Sequence, residues 1–329
     1  MTISVRMTGT GLALPQSAVP SEHFDRKLGL QPGSLAQATG VGRRFVCGDE
    51  DQLGLAATAI TGAVEDAGIA IETVDLFVSA CGVGYQAIPS TAPAVMARLG
   101  IADGLAAGFD VNATCLSFLN GLETAARLVG SGQYGRAVVF SSEIASRALP
   151  WKDDPETAAL FGDGAAAVVV EPEKGAGFVA SHMRTYPSAF DACAIGAGGT
   201  RVDFHSDPKA FAAQSVFAMD GRALFRITSR YFKSFVDELL TKTGWSRGEV
   251  DLVIPHQASP FALQHMAKVA EFAPEKIVDI SRDYGNQIAA SIPFAFAMAQ
   301  REGRITPGAK LLFLGTSAGV SLGGLAWQV

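Results

Sequence analysis

The chain has 329 residues, 48% of them hydrophobic, with 36 glycines and a formal net charge of −6. Such a length admits one large domain or two smaller ones with a sizeable core. The acidic balance, with no Lys/Arg block, excludes a general affinity for nucleic acid or anionic lipid. Cys47, Cys81, Cys115 and Cys193 stand far apart, without CxxC or Cys/His metal spacing, so no metal site is expected. Reduced thiols in a cytoplasmic protein are the expectation. The N-terminus shows no basic region followed by an apolar core, and no run of 18 apolar residues is present to span a membrane.

In chain order, Asp75-Leu76-Phe77-Val78-Ser79 reads as a buried strand and Ala107 to Val111 as the next. The Ala/Leu-rich stretch from Leu116 to Val129 has helical spacing and stops at Gly130. Strands follow at Arg136–Phe140 and Ala165–Val170. The second half runs in the same order. Asp251–Ile254 and Ile277–Ile280 are strands, a Gly-Asn turn leads into the helix Ala289–Gln300, and Lys310–Leu314 and Gly323–Trp327 close the copy. The matching order predicts an internal duplication, with residues 1–175 carrying one half and 176–329 the other. Continuous apolar strands alternating with helices imply sheets covered on both faces.

Three polar residues stand at pointed places in this frame. Cys115 follows a strand and opens a helix, where unpaired N–H groups and the positive helix end favour thiolate, the nucleophilic form. His256 lies in Pro255-His256-Gln257, and Asn286 follows Tyr284-Gly285. Cys81 is a rival nucleophile, but it follows the wrong strand and reads as core or pocket lining. Cys47 and Cys193 read as structural, and His23, His182, His205 and His265 as surface or packing residues.

Together with Thr39-Gly40-Val41 and Arg43-Arg44, the segments Asp110–Cys115, Phe161-Gly162-Asp163-Gly164-Ala165-Ala166, Met219-Asp220-Gly221, His256-Gln257-Ala258 and Gly285-Asn286 give the chain its resemblance. It resembles, nearly end to end, the β-ketoacyl-acyl-carrier-protein synthase III branch of the thiolase superfamily. The resemblance implies a five-layer αβαβα fold built from two halves, and a homodimer. It implies an acyltransferase in which Cys115 takes a primer acyl group from a thioester. A malonyl thioester is then decarboxylated, and Claisen attack gives a β-ketoacyl product. His256 and Asn286 would donate hydrogen bonds to the enolate oxygen. The Cys115 N–H and, by alignment of the Gly-rich loop, the Val320 N–H would form the oxyanion site for acyl transfer. No cofactor is implied; coenzyme A or acyl-carrier-protein thioesters are the substrates, and acyl carrier protein the partner.

The chain departs from the family at the entrance. A Trp and an Arg that hold coenzyme A fall at Ser34 and Ala38, and a second Arg is missing from Trp151-Lys152-Asp153. The usual Asn and Arg at the carrier-protein mouth are Ser259 and Phe261. The aromatic that closes the primer pocket across the dimer aligns with Ile88. These differences imply a primer other than acetyl. Arg147 is a candidate to pair with the carboxylate of a dicarboxylic primer, as in a biotin-pathway branch. Competing readings are a non-decarboxylative acyl-CoA condensation or acyl transfer, and a non-catalytic partner subunit. A degradative thiolase needs a second catalytic Cys, and none follows Cys193. A hydroxymethylglutaryl-type synthase needs a placed Glu; Glu143 is available but follows the wrong strand.

Overall fold

A computed structural model describes residues 2–329. Eight strands make its principal sheet system: β1 (Ile3–Ala13), β2 (Leu76–Ser79), β3 (Ala107–Asp110), β4 (Ala137–Glu143), β5 (Gly164–Thr185), β6 (Leu252–Pro255), β7 (Lys310–Ser317) and β8 (Ser321–Gln328). β2 lies parallel between β3 and β4, and the N-terminal part of β5 pairs antiparallel with both β4 and β1. The second half repeats the pattern. β6 is parallel to β7, β7 antiparallel to β8, and β8 antiparallel to the C-terminal part of β5. Thus one 22-residue strand closes the first copy and opens the second. The division expected at residue 175 falls inside this strand.

Alternation along each strand sorts the core into three clusters. Leu76 and Val78 of β2, with Leu311 and Phe313 of β7, face a central cluster. That cluster is filled by α3 (Ser117–Gly130) and α6 (Ser291–Arg301). The intervening Phe77 turns to the outer cluster beneath α1 (Gln52–Asp66) and α2 (Thr91–Leu99). Leu312 and Leu314 turn the other way, beneath α4 (Gly221–Thr243) and α5 (Pro260–Ala270). Helices, sheet, helices, sheet, helices is therefore the layer order. Burying both sheet faces explains why the strands read as unbroken apolar runs.

The two copies also agree in detail. Asp75 accepts backbone N–H bonds from Gly135 and Arg136, and Asp251 accepts one from Lys310. Asn112 Oδ1 accepts the Thr114 N–H at 3.0 Å, and Asn286 Oδ1 the Ile288 N–H at 2.9 Å. Thr114 and Ile288 are both left-handed, with φ of 51° and 50°. Asn286 is thus the counterpart of Asn112, and Cys115 is matched by Ala289.

The segment expected as a strand at Ile277–Ile280 forms only a single parallel bridge, between Val253 and Ile277. A side chain replaces the missing ladder: Gln257 donates to the Val278 carbonyl at 2.9 Å and accepts the Ile280 N–H at 2.9 Å. No helix among the described residues is long and apolar enough to cross a membrane.

Candidate active site

Cys115 stands on a 3-10 turn, Thr114–Leu116, that precedes α3. The turn is held by Ser117, whose hydroxyl accepts the Ala113 N–H at 2.9 Å and donates to the Thr114 carbonyl at 2.7 Å. The left-handed Thr114 costs on the order of 1–3 kcal/mol. Such strain persists because the surroundings impose it, and it aims the next residue out of the turn.

Burial works against the thiolate that the helix N-terminus favours. Burial pushes the Cys115 thiol up to about 12, with Cys193 and Glu143 adding repulsion; the Ala318 N–H and the residue's own N–H work the other way. Desolvating a charge outweighs the partial charge of a helix end that begins two residues later. The resting nucleophile is a thiol, and it loses its proton as it attacks.

His256 ends the turn after β6, its backbone N–H donated to the Leu314 carbonyl at 2.8 Å. A Cβ placed on Gly315 would lie 3.0 Å from His256 Cβ and 2.9 Å from Leu116 Cδ2, so β7 brings His256 beside the Cys115 turn. The imidazole is buried, and burial pushes it down to about 4. The Ile288 carbonyl is near enough to oppose this weakly, yet Nδ1 meets no partner of hydrogen-bonding geometry. At neutral pH His256 is an uncharged imidazole that carries one N–H.

Asn286 is fixed more tightly. Its backbone bridges Phe161, with Asn286 N–H donated to the Leu160 carbonyl at 2.7 Å and the Gly162 N–H to Asn286 at 3.1 Å. Gly162 has no room for a side chain, because a Cβ there would collide with the Tyr284 carbonyl. Gly285 has φ of 67° and a Cβ would lie 2.8 Å from the Leu160 carbonyl. The Phe-Gly-Asp-Gly and Gly-Asn motifs are therefore one device that seats Asn286. Because Oδ1 already accepts the Ile288 N–H, the side-chain NH2 is the part left to meet a substrate. Ile288 contacts both ends of the site: its N–H orients Asn286 and its carbonyl faces His256.

The other predicted positions divide. Val320 N–H is directed at the Tyr186 carbonyl at 3.4 Å, and Tyr186 N–H returns to Val320 at 2.7 Å. The loop donor beside the Cys115 sulfur is instead Ala318 N–H. The alignment-based choice of Val320 is not supported here: Ser317 pairs with Ser321, and the turn between them leaves Ala318 at the sulfur and Val320 at Tyr186. Arg147 is exposed, donates to the Glu50 carbonyl at 3.3 Å and lies beside Asp51 and Cys47, so it does not join the trio. Ser259 caps α5 by accepting the Ala262 N–H at 3.1 Å, and Phe261 is exposed on its first turn. Ile88 is 88% exposed, on a loop with exposed Val83 and Tyr85. Ser34 and Ala38 lie on a short helix, and Trp151 stacks on Phe24 at 4.1 Å. Sequence reasoning set aside Glu143, which is fully buried and lies near enough to Cys115 to raise its thiol. The signal available for it was an acidic residue at the end of a strand that is buried throughout, Ala137–Glu143.

Comparison with known proteins gives a consistent picture. The family model described as 3-oxoacyl-[acyl-carrier-protein (ACP)] synthase III matches residues 109–187, and the model of its C-terminal part matches residues 240–329. The chain is 34% identical over 326 residues to a beta-ketoacyl-[acyl-carrier-protein] synthase III of Erythrobacter litoralis, covering 98% of both. It is 30% identical over 329 residues to that of Neisseria gonorrhoeae, again covering 98% of both. Its fold superposes on 3-oxoacyl-(acyl carrier protein) synthase III from Pseudomonas aeruginosa with a TM-score of 0.87 and 29% identity, covering 99% of this chain and 98% of that one. The Aquifex aeolicus structure gives 0.88 and 29%, covering 99% and 100%.

Proposed function

The chain belongs to the 3-oxoacyl-[acyl-carrier-protein] synthase III family of condensing acyltransferases, and from that premise we propose how its residues divide the reaction. Cys115 attacks the carbonyl of a primer acyl thioester, its thiol proton leaves, and the departing carrier thiolate is protonated. The oxyanion formed on the way is met by the Cys115 and Ala318 N–H groups. A malonyl thioester then binds, and loss of its carboxylate as carbon dioxide leaves an enolate. The neutral His256 and the Asn286 NH2 hydrogen-bond that enolate oxygen, each worth about 3–4 kcal/mol of barrier. The enolate carbon attacks the acyl-enzyme carbonyl, forming a carbon–carbon bond and releasing the Cys115 thiolate, which regains a proton.

The observation that carries this reading is the polarity of Asn286. With Oδ1 turned to the Ile288 N–H, the amide presents its NH2 donor on the other side. Replacing Cys115 by Ala tests the division: acyl-enzyme and condensation should vanish while malonyl decarboxylation persists. Full condensation by Cys115→Ala would refute it.

The primer is one larger than acetyl. The supports are Ile88 in place of a bulkier aromatic and the absence of a coenzyme A grip at Ser34 and Ala38. We place substrate delivery on coenzyme A or acyl-carrier-protein thioesters, with no further cofactor. A homodimer completes the primer pocket, consistent with the exposed Val83, Tyr85 and Ile88 loop and with β3 at the free edge of the sheet. The position of Arg147 gives no support to a carboxylate clamp for a dicarboxylic primer.

A further inference from the structure

Glu143 ends β4 and is fully buried, yet the reaction scheme gives it no task. A carboxyl removed from water must be met by donors or lose its charge. The donors here are backbone N–H groups: Gly82, Val83 at 3.3 Å, and Ala289. Among the described residues, the groups that chiefly act on it include no cation.

These donors come from both halves of the molecule. Gly82 and Val83 follow β2, and Ala289 lies in the turn between Asn286 and α6. The two stretches meet at one point. A Cβ placed on Gly82 would lie 2.6 Å from Ile288 Cγ2, 3.2 Å from the Thr114 carbonyl and 3.3 Å from Glu143 Oε1. Thr114 and Ile288 are the two left-handed residues flanking the nucleophile and the enolate donor. Asn112 adds a tie, donating to the Gly82 carbonyl at 3.0 Å while accepting the Thr114 N–H.

We propose that Glu143 is a positioning residue whose carboxylate clamps together the two strained turns that present Cys115 and Asn286. The assignment of those two residues rests on the reading above; the clamp itself rests on hydrogen bonds and packing. Its charge has a second consequence. Asp163, Cys81 and Cys115 are the titratable groups that face it, and Asp110 acts on Cys81 as well. Burial pushes Glu143 up to about 8 against the pull of its three N–H donors, so its charge changes around that pH. When ionised it opposes the thiolate of Cys115.

The test is Glu143→Gln, read first by alkylation of Cys115 with iodoacetamide, located by peptide mass across about pH 6 to 10. That readout needs no assumption about substrate. Glutamine keeps the size but removes the charge and turns an NH2 toward a backbone N–H. Alkylation should shift to lower pH and run about three-fold faster or more at pH 8. Acyl-enzyme formation from a primer thioester should slow by about ten-fold or more in kcat, with KM far less affected. Glu143→Asp, which restores charge but not reach, should recover the pH profile and not the rate. An alkylation profile superimposable on wild type, or a kcat within about two-fold of it, overturns the proposal. If wild type takes no primer while the alkylation shift appears, the clamp is supported and the condensing reading fails. Should Glu143→Gln not fold, hydrogen exchange on the wild-type protein decides. The Gly82 and Ala289 amides should exchange as slowly as the core, and loop-like exchange there overturns the clamp.

Discussion

Replacing Asn286 by Asp separates the chemistry of that side chain from its structural task. Asp keeps an oxygen where Oδ1 accepts the Ile288 N–H at 2.9 Å, so the turn stays capped. What changes is the other end, where an NH2 donor becomes an oxygen acceptor, charged at neutral pH. Removing one oxyanion donor costs about 2.7–4 kcal/mol, or roughly 100- to 1,000-fold in rate. A carboxylate facing a developing enolate adds repulsion, so the loss should reach at least the upper end of that range. Asn286→Ala, by contrast, also leaves the Ile288 N–H without its partner, at about 1–3 kcal/mol of stability. At about 2 °C per kcal/mol for a chain of this size, that is a measurable drop in Tm. The assay is carbon dioxide release from a malonyl thioester, beside acyl-enzyme formation and thermal unfolding of both variants. Asn286→Asp should acylate and melt close to wild type while decarboxylation collapses. Decarboxylation within about ten-fold of wild type would refute the donor assignment.

His256 is held neutral down to about pH 4, so decarboxylation should show no inflexion near 6.5. Because its folded value lies below the unfolded one, stability linked to it rises as pH climbs from about 4 to 6.5 and is lost below; urea titrations of wild type and His256→Gln read this. Gly162→Ala puts a Cβ against the Tyr284 carbonyl and should lower both Tm and decarboxylation, since Asn286 hangs on that bridge; an unaffected variant would detach the motif from the site. Ile88→Phe should shift kcat/KM toward shorter primers, because each buried methylene is worth roughly 0.8 kcal/mol. Acetyl as the best primer of the wild type would overturn the larger-primer reading.

Much of this was legible in the sequence because the sheets are covered on both faces. Runs at 75–79, 136–140, 251–254 and 310–314 appear as strands with small changes at their ends. The order of elements predicts the duplication, and the structure pairs Asn112 with Asn286 as counterparts. Other features were hidden for physical reasons. The strand expected at Ala165–Val170 runs on to Thr185, because the ladder shifts register beyond it, with Ser4 opposite Gly177 and Val5 opposite Pro172. The helix end beside Cys115 suggested a thiolate, but burial is a tertiary effect that local pattern does not carry. Glu143 ends β4, one strand removed from the β3 that leads to Cys115, and only the packing of the Gly82 and Ile288 turns brings it to the site. Ala318 was missed because a hairpin's turning point depends on how two strands pair, here Ser317 with Ser321.

The central claim is that one thiol, Cys115, carries the acyl group that the decarboxylated malonyl unit attacks. Intact-mass measurement in two steps tests it most directly. Incubation with a panel of primer thioesters should add a single acyl mass to the peptide bearing Cys115. Adding a malonyl thioester should then discharge that adduct with release of one carbon dioxide per acyl group. An adduct on Cys81, or an acyl-Cys115 that malonyl thioester leaves in place, would contradict the account.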